Sequence, residues 1–230
     1  MRILVANDDG INAPGLEALV EFAQTLGEVM VVAPKEEQSA KSQSINVRSG
    51  FSVEKSNKFS GVESYVIDST PSDCVRFAIY YLKYDFDVLF TGLNRGYNSG
   101  EDILYSGTVA SASEGALVNK PSIAFSTSPK TFDGKAYLKD AYEYIEKNEL
   151  LKKHNFWNVN IPPSPKGIKI TRQGLTCFDT YFEKRDGLYY QLGDPHFEND
   201  SNAFSDTKAI HDGFISITPL TNDRTMYFKK

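Results

Sequence analysis

Apolar runs alternate with segments of helical period through about the first 130 residues, and this alternation constrains the fold of the 230-residue chain more than any other feature. "RILVA", "EVMVVAP", "FDVLFTGLN" and "SIAFST" are rich in Val, Ile, Leu and Phe without strict in–out alternation, so they read as strands covered on both faces. Between the first two, Leu16, Leu19, Val20, Ala23 and Leu26 recur at helical spacing behind Pro14, and Gly27 ends the segment. "ESYVIDST" is strand-like and leads into "STPSDCVRFAIYYLK", a helix with Thr70 as N-cap, Pro71 at its first position and Asp73 three after the cap. "SGTVASASEGALVNK" is a helix of small residues, and "AYLKDAYEYIEKNELLKK" is an amphipathic one. Parallel strands require crossovers of this kind, so the pattern predicts a doubly wound α/β sheet.

The last 80 or so residues change character. "FWNVNI", "IKITRQ", "LYYQLG" and "FISITPL" read as strands between polar loops, an antiparallel extension or an arm. No clear linker precedes them, so residues 1–230 form one unit: a site-bearing core over 1–130, and a helix and β-rich extension over 131–230.

Composition narrows the function classes. The chain is 40% hydrophobic and 24% charged, as in soluble globular proteins. No run approaches the roughly 18–20 apolar residues of a membrane helix, and the apolar stretch after Arg2 is too short for a secretory signal. Cys74 and Cys177 are far apart, which argues against a disulfide framework or a cysteine zinc site. The expected compartment is the cytoplasm, with no membrane partner. A net charge of −5 without a basic stripe argues against nucleic acid polymers as partners. It also opposes small anions unless a cation or local donors invert the field.

Polar residues cluster where strands end. Asn7, Asp8 and Asp9 follow the first strand and Ser39 lies in the loop after the second. Asn94 and Asn98 follow "FDVLFTG", and Ser106 and Thr108 open the small-residue helix. In a parallel sheet these ends share one edge, where ligands bind. Asn-Asp-Asp-Gly has two readings. It is a turn that caps the following helix, or it is half of a cation site. Adjacent strand residues point to opposite faces, so Asp8 and Asp9 face one point only if the chain leaves β geometry, which Gly10 permits. Two carboxylates held together repel, and a divalent cation removes the conflict. With the Ser39 hydroxyl and Asn94 amide oxygen they form a hard oxygen set suited to Mg²⁺, Mn²⁺ or Ca²⁺.

"TGLNRGYNSGEDILYSGTV" has glycines at 92, 96, 100 and 107. It is a flexible loop with a Ser N-cap, or a phosphate cradle in which Ser106, Gly107 and Thr108 present a helix N-terminus. Neither the dinucleotide fingerprint nor a Walker loop is present. Ser42 and Ser44 read as loop filler or an anion cradle, Glu101 and Asp102 as a solvated pair, and Cys74 as core. Cys177 has no activating context, and His154, His196 and His211 read as structural or exposed. Phe178, Tyr181, Phe182, Tyr189 and Tyr190 form an aromatic group for burial in an arm or subunit interface, or for stacking on a base.

These motifs carry a family resemblance. "RILVANDDGINAPG", "VVAPKEEQSAKSQS", "STPSDCV", "TGLNRGYNSGEDILYSGTVASASEG", "WNVNIP", "KITRQG" and "GFISITPL" follow in order over essentially the whole chain. The chain resembles the SurE family, the stationary-phase survival proteins, which are metal-dependent 5'-nucleotidases. The resemblance implies a Rossmann-like, mostly parallel core with a C-terminal β extension that joins homodimers or homotetramers by exchanging segments. It implies one divalent cation per subunit on Asp8, Asp9, Ser39 and Asn94, and a phosphate pocket at Asn98, Ser106, Gly107 and Thr108. The implied reaction is hydrolysis of nucleoside monophosphates, with short polyphosphate as a further substrate. Asp8 and Asp9 are the implied catalytic carboxylates, and the nucleophile is water with an aspartate as base or an aspartate itself. The departures are Thr91 and Leu93 for Ser and Ile, Ser69 for Gly, Lys41 for a small residue and Glu101 for Asp. None touches the four implied ligands; Lys41 bears on substrate preference. A Rossmann oxidoreductase and a haloacid-dehalogenase-type phosphatase lack their motifs here. A non-catalytic metal and nucleotide sensor is the remaining alternative.

Overall fold

The computed structural model describes residues 1–175, 179–194, 196 and 200–226. Cys177 and Phe178 lie outside the described residues. β1 (Arg2–Ala6) leads through α1 (Pro14–Gln24) to β2 (Glu28–Pro34). β3 (Val53–Ser56) and β4 (Glu63–Ile67) precede α2 (Pro71–Arg76). Then come β5 (Val88–Arg95), α3 (Gly107–Leu117), β6 (Ser122–Thr127), α4 (Leu138–Lys147) and α5 (Leu150–Lys153). β7 (Phe156–Ile161), β8 (Ile168–Ile170), β9 (Tyr181–Arg185), β10 (Leu188–Leu192), α6 (Asp206–His211) and β11 (Ile215–Pro219) complete the chain.

Nine strands form one sheet in the order β3-β4-β2-β1-β5-β6-β7-β11-β8. Pairing is parallel except at β3–β4 and β7–β11. This is the expected doubly wound α/β architecture. Strands from the last eighty residues join the same sheet, and among the described residues only β9 and β10 stand apart as an antiparallel pair.

Strand alternation sorts the core. Ile3, Val5, Val29 and Val31 pack with Leu16 and Leu19 of α1 and Leu138 and Ala141 of α4. Leu4, Ala6, Met30 and Val32 face Cys74, Val75 and Ala78 on the other side. α3 lies on that second face beside α2. Its small residues allow a close approach: a Cβ on Gly115 would lie 2.4 Å from Ser122 Oγ.

β1 is flanked by β2 and β5, which the chain reaches in opposite directions. The crevice beyond their C-terminal ends is therefore a topological switch point, where open α/β sheets bind ligands. Thr70 caps α2 as expected, accepting from Asp73 N at 3.1 Å. The Asp73 carboxylate does not close a capping box; it accepts from Asn46 N at 2.9 Å and Ser69 Oγ at 2.6 Å. The segment after α2 continues as a π turn over Phe77–Tyr81. The expected single amphipathic helix is divided where Glu149 takes φ +51°.

Candidate active site

The Asn-Asp-Asp-Gly stretch leaves β geometry directly after β1. Asn7 Nδ2 donates to Gly10 O at 2.9 Å, and Ile11 N donates to Pro34 O at 2.9 Å. Gly10 has φ +93°, and a Cβ there would meet the Glu36 carbonyl carbon at 3.2 Å. The turn thus packs against the end of β2 with a backbone conformation that glycine supplies. Asn7 is fully buried, and its Oδ1 has no hydrogen-bond partner among the described residues.

Asp8 is 4% exposed and points at the start of α3. The Thr108 hydroxyl donates to Asp8 Oδ1, and the Thr108 main-chain N–H also acts on this carboxylate. A Cβ on Gly107 would lie 2.8 Å from Asp8 Cβ and 2.9 Å from Oδ2, so only glycine lets the helix come this close. Burial pushes the Asp8 carboxyl up, against the pull of Thr108, and Glu37 adds repulsion. The Asp9 carboxyl is pushed up to about 6, first by burial and then by Asp8 and Glu37, with partial relief from the Arg95 main-chain N–H. Two acids beside each other, with a third nearby, form a negative centre that the Arg95 charge offsets only in part.

The loop after β2 is tied to this centre. Gln38 N donates to Asp8 O at 2.7 Å, and Ser39 Oγ donates to Glu37 Oε1 at 2.6 Å. Ser42 N reaches Tyr105 O at 3.0 Å, and Gln43 Nε2 reaches Glu114 Oε1 at 2.9 Å. Thr70 Oγ1 donates to Ser44 O at 2.7 Å. Main-chain and side-chain hydrogen bonds thus tie this exposed loop to the turn after β1, to the N-cap of α2, to α3 and to the segment before α3.

Asn94 comes from the other flank of β1. β5 slips its register against β6 between Thr91 and Asn94, and Gly92 at φ +125° would otherwise drive a Cβ to 2.2 Å from Phe125 O. This bulge turns the strand end. Asn94 Nδ2 donates to Gly96 O at 2.7 Å, which leaves the amide oxygen as the end available to a cation.

Asp8, Asp9, Ser39 and Asn94 therefore sit on three neighbouring strand ends linked by main-chain hydrogen bonds. The donor set fits a hard divalent cation: two carboxylates raised chiefly by burial, with Asp8 also repelling Asp9, a hydroxyl, and an amide oxygen with its nitrogen already committed. Among the described residues no group of three or more His, Cys, Asp or Glu offers a competing metal cluster.

Ser106 caps α3 by accepting from Val109 N at 3.1 Å. Ser106→Ala is therefore expected to lower stability by about 1 kcal/mol through the lost cap, read as a lower denaturant midpoint. Asn98 is held more tightly than the sequence suggests. Its N–H donates to Asn160 Oδ1 at 2.9 Å and its Nδ2 to Ser126 Oγ at 2.8 Å. Its carbonyl accepts from Asn158 and Asn160 at 2.7 and 2.8 Å. A groove of about 990 Å³ opens beside Ser106, between Ser42, Val109, Leu117, Phe156 and Arg224.

Other sequence candidates take structural places. Cys74 is buried in the core. His154 bonds Leu220 O, and His196 lies 3.1 Å from Asp179. Tyr181, Phe182, Tyr189 and Tyr190 are 43–68% exposed on the β9–β10 pair, where Lys184 lies over the Tyr189 ring and Arg185 over the Tyr190 ring. Sequence reading missed Glu37; its place two residues before Ser39 was the available signal.

A family model described as "Survival protein SurE" matches residues 3–180. The 5'-nucleotidase SurE of Thermosipho melanesiensis is 37% identical over 96% of this chain and 91% of its own length. That of Aeromonas hydrophila subsp. hydrophila is 38% identical, covering 99% and 94%. The crystal structure of the SurE protein from Aquifex aeolicus superposes with a TM-score of 0.82 at 31% identity, covering 98% of this chain and 95% of that one.

Proposed function

The chain belongs to the SurE family, and from that premise we propose that it is a divalent-metal-dependent 5'-nucleotidase that hydrolyses nucleoside monophosphates to nucleoside and phosphate. The observation that carries the reading is the pairing of Asp8 and Asp9 at the β1–β5 switch point, both raised in pKa, against the N-terminus of α3. Such a centre repels a phosphate until a cation balances it.

Asp8, Asp9, Ser39 and Asn94 would hold that cation, one per subunit, as Mg²⁺, Mn²⁺ or Ca²⁺. When bound it supplies Lewis-acid polarisation of a phosphoryl oxygen. Thr108 fixes the Asp8 carboxylate with its hydroxyl. The α3 N-terminus favours negative charge through its dipole, and Ser106, Gly107, Thr108 and Asn98 line the approach. Preorganised donors of this kind stabilise charge on the phosphoryl group as it transfers. The groove beside Ser106 has room for a nucleoside, and exposed Lys41 on the tethered loop bears on which substrate is preferred. Short polyphosphate is a further candidate substrate.

The solvent-facing aromatic residues of the β9–β10 pair support its role in a homodimer or homotetramer, with residues 131–230 supplying the contacts. Among the described residues no helix is long and apolar enough to cross a membrane; a cytoplasmic location fits the composition.

The test is phosphate release from a panel of nucleoside monophosphates with Mn²⁺ or Mg²⁺. Release is expected with metal, should vanish with chelator and should return when metal is restored. Nucleotide binding without release would favour the sensor instead.

A further inference from the structure

The loop between β5 and α3 carries Asn98 and ends on Ser106, so its course sets the proposed phosphate pocket. It is anchored from outside the N-terminal half of the sheet. Asp206, the first residue of α6, is fully buried, and its carboxylate accepts main-chain N–H groups from two separate segments and from its own neighbour Thr207. Gly100 N lies 3.2 Å from Oδ1 and 3.1 Å from Oδ2, Gly174 N lies 2.8 Å from Oδ1, and Thr207 N also lies 2.8 Å from Oδ1.

Both partner glycines are required by shape. Gly100 has φ +59°, and a Cβ there would stand 2.1 Å from Leu175 O. A Cβ on Gly174 would meet Asp200 Oδ2 at 2.3 Å and Thr207 Oγ1 at 2.4 Å. Two chain segments thus close over one carboxylate with no room for side chains. Burying a carboxylate carries a desolvation penalty that apolar packing would not incur. What the carboxylate adds is direction: it fixes where the Gly100 N–H points. Two residues earlier, Asn98 is gripped by Asn158 and Asn160; six residues later, Ser106 begins the turn onto α3.

We infer that Asp206 is a positioning residue for phosphate recognition: by clamping the Gly100 main chain against the 174–175 segment, it sets the loop that presents Asn98 and Ser106. The inference rests on the phosphatase reading of the site. It gives the C-terminal part of the chain a direct hold on the pocket, separate from any role in assembly. The cation ligands Asp8, Asp9, Ser39 and Asn94 lie outside the clamped loop, so their hold on metal should not depend on Asp206.

Asp206→Asn tests this. It keeps the shape and one acceptor oxygen but sets an amide nitrogen against the Gly100 N–H. With the full chain, three quantities are measured: Mn²⁺ affinity, inorganic phosphate affinity of the Mn²⁺-loaded protein, and KM and kcat on a nucleoside monophosphate. The expected result is Mn²⁺ affinity within about twofold of wild type, with phosphate Kd and KM raised about tenfold. Gly100→Ala should reproduce this split from the loop side. Thr207→Val is the structural control: it removes the 2.6 Å bond from Thr207 Oγ1 to Asp200, leaves the Gly100 contact, and should lower Tm without moving phosphate Kd. The inference is overturned if Asp206→Asn leaves phosphate Kd unchanged in an otherwise active protein. It is also overturned if metal and phosphate binding weaken together in step with Tm, or if Thr207→Val raises phosphate Kd equally. Wild-type protein that neither binds phosphate nor releases it would overturn the phosphatase reading itself, which the other outcomes leave standing.

Discussion

Asp8→Asn and Asp9→Asn are each expected to lower phosphatase turnover by at least about 10²-fold while leaving the fold intact and the metal-free protein no less stable. The loss follows from removing half the charge of the proposed cation site, on the scale seen when a preorganised charge-stabilising group is deleted. The stability effect has the opposite sign to that of most buried substitutions. Asp9 has its carboxyl raised from 3.8 to about 6, so at neutral pH its ionised form is disfavoured in the folded chain relative to the unfolded one. Asp9→Asn removes that disfavour, a gain on the order of 1–3 kcal/mol. The gain should be full above pH about 6, where Asp9 is ionised in both states. It should fade as pH falls and be absent below about 3.8, where both states are protonated. Thermal melts of metal-free wild type and variant across this range, beside phosphate release with Mn²⁺, check both halves. A variant that keeps wild-type turnover would remove Asp8 or Asp9 from the site.

Gly107→Ala is expected to cut kcat/KM by about 10²-fold and to weaken metal binding, although helix propensity alone favours alanine by roughly 0.5–1 kcal/mol. The added Cβ would lie 2.8 Å from Asp8 Cβ, 2.9 Å from Asp8 Oδ2 and 3.2 Å from Pro71 Cγ. Either Asp8 rotates away from Thr108 or α3 lifts from β1. A displacement near 1 Å at a reacting centre costs about two orders of magnitude in rate. Metal titration with steady-state kinetics separates this result from a simple helix effect, which would leave both unchanged or improved.

The sheet was legible because buried parallel strands announce themselves as unbroken apolar runs. β3 was not: Val53–Ser56 is a polar edge strand joined to β4 by main-chain bonds. β9 and β10 carry a sharp local signal, since Asp186-Gly187 between them is a hairpin dipeptide, with Asp186 at φ +50° and Gly187 at +80°. α6 is six residues long, too short for its periodicity to stand out. At the site, residues on strand ends can be grouped by topology alone, which is why Asp8, Asp9, Ser39 and Asn94 could be put forward as one proposed set. Asp206 could not be, because its partner Gly100 lies 106 residues away and its donors are main-chain groups without a residue signature. The grip of Asn158 and Asn160 on Asn98 was hidden similarly, in side chains of a strand that reads as apolar.

The placement of the site at the switch point bears on how such a chain can change over generations. The sheet beneath the site is built from strand residues that no solvent reaches, such as Val5, Phe90 and Phe125. The rim of the site is loop, where Lys41 and Ser44 stand exposed. Substitutions on that rim leave the core untouched, and distant effects on stability add almost independently. New substrate preferences are thus open to drift at the rim, while the clamped glycines and paired acids beneath it stay fixed by shape and charge.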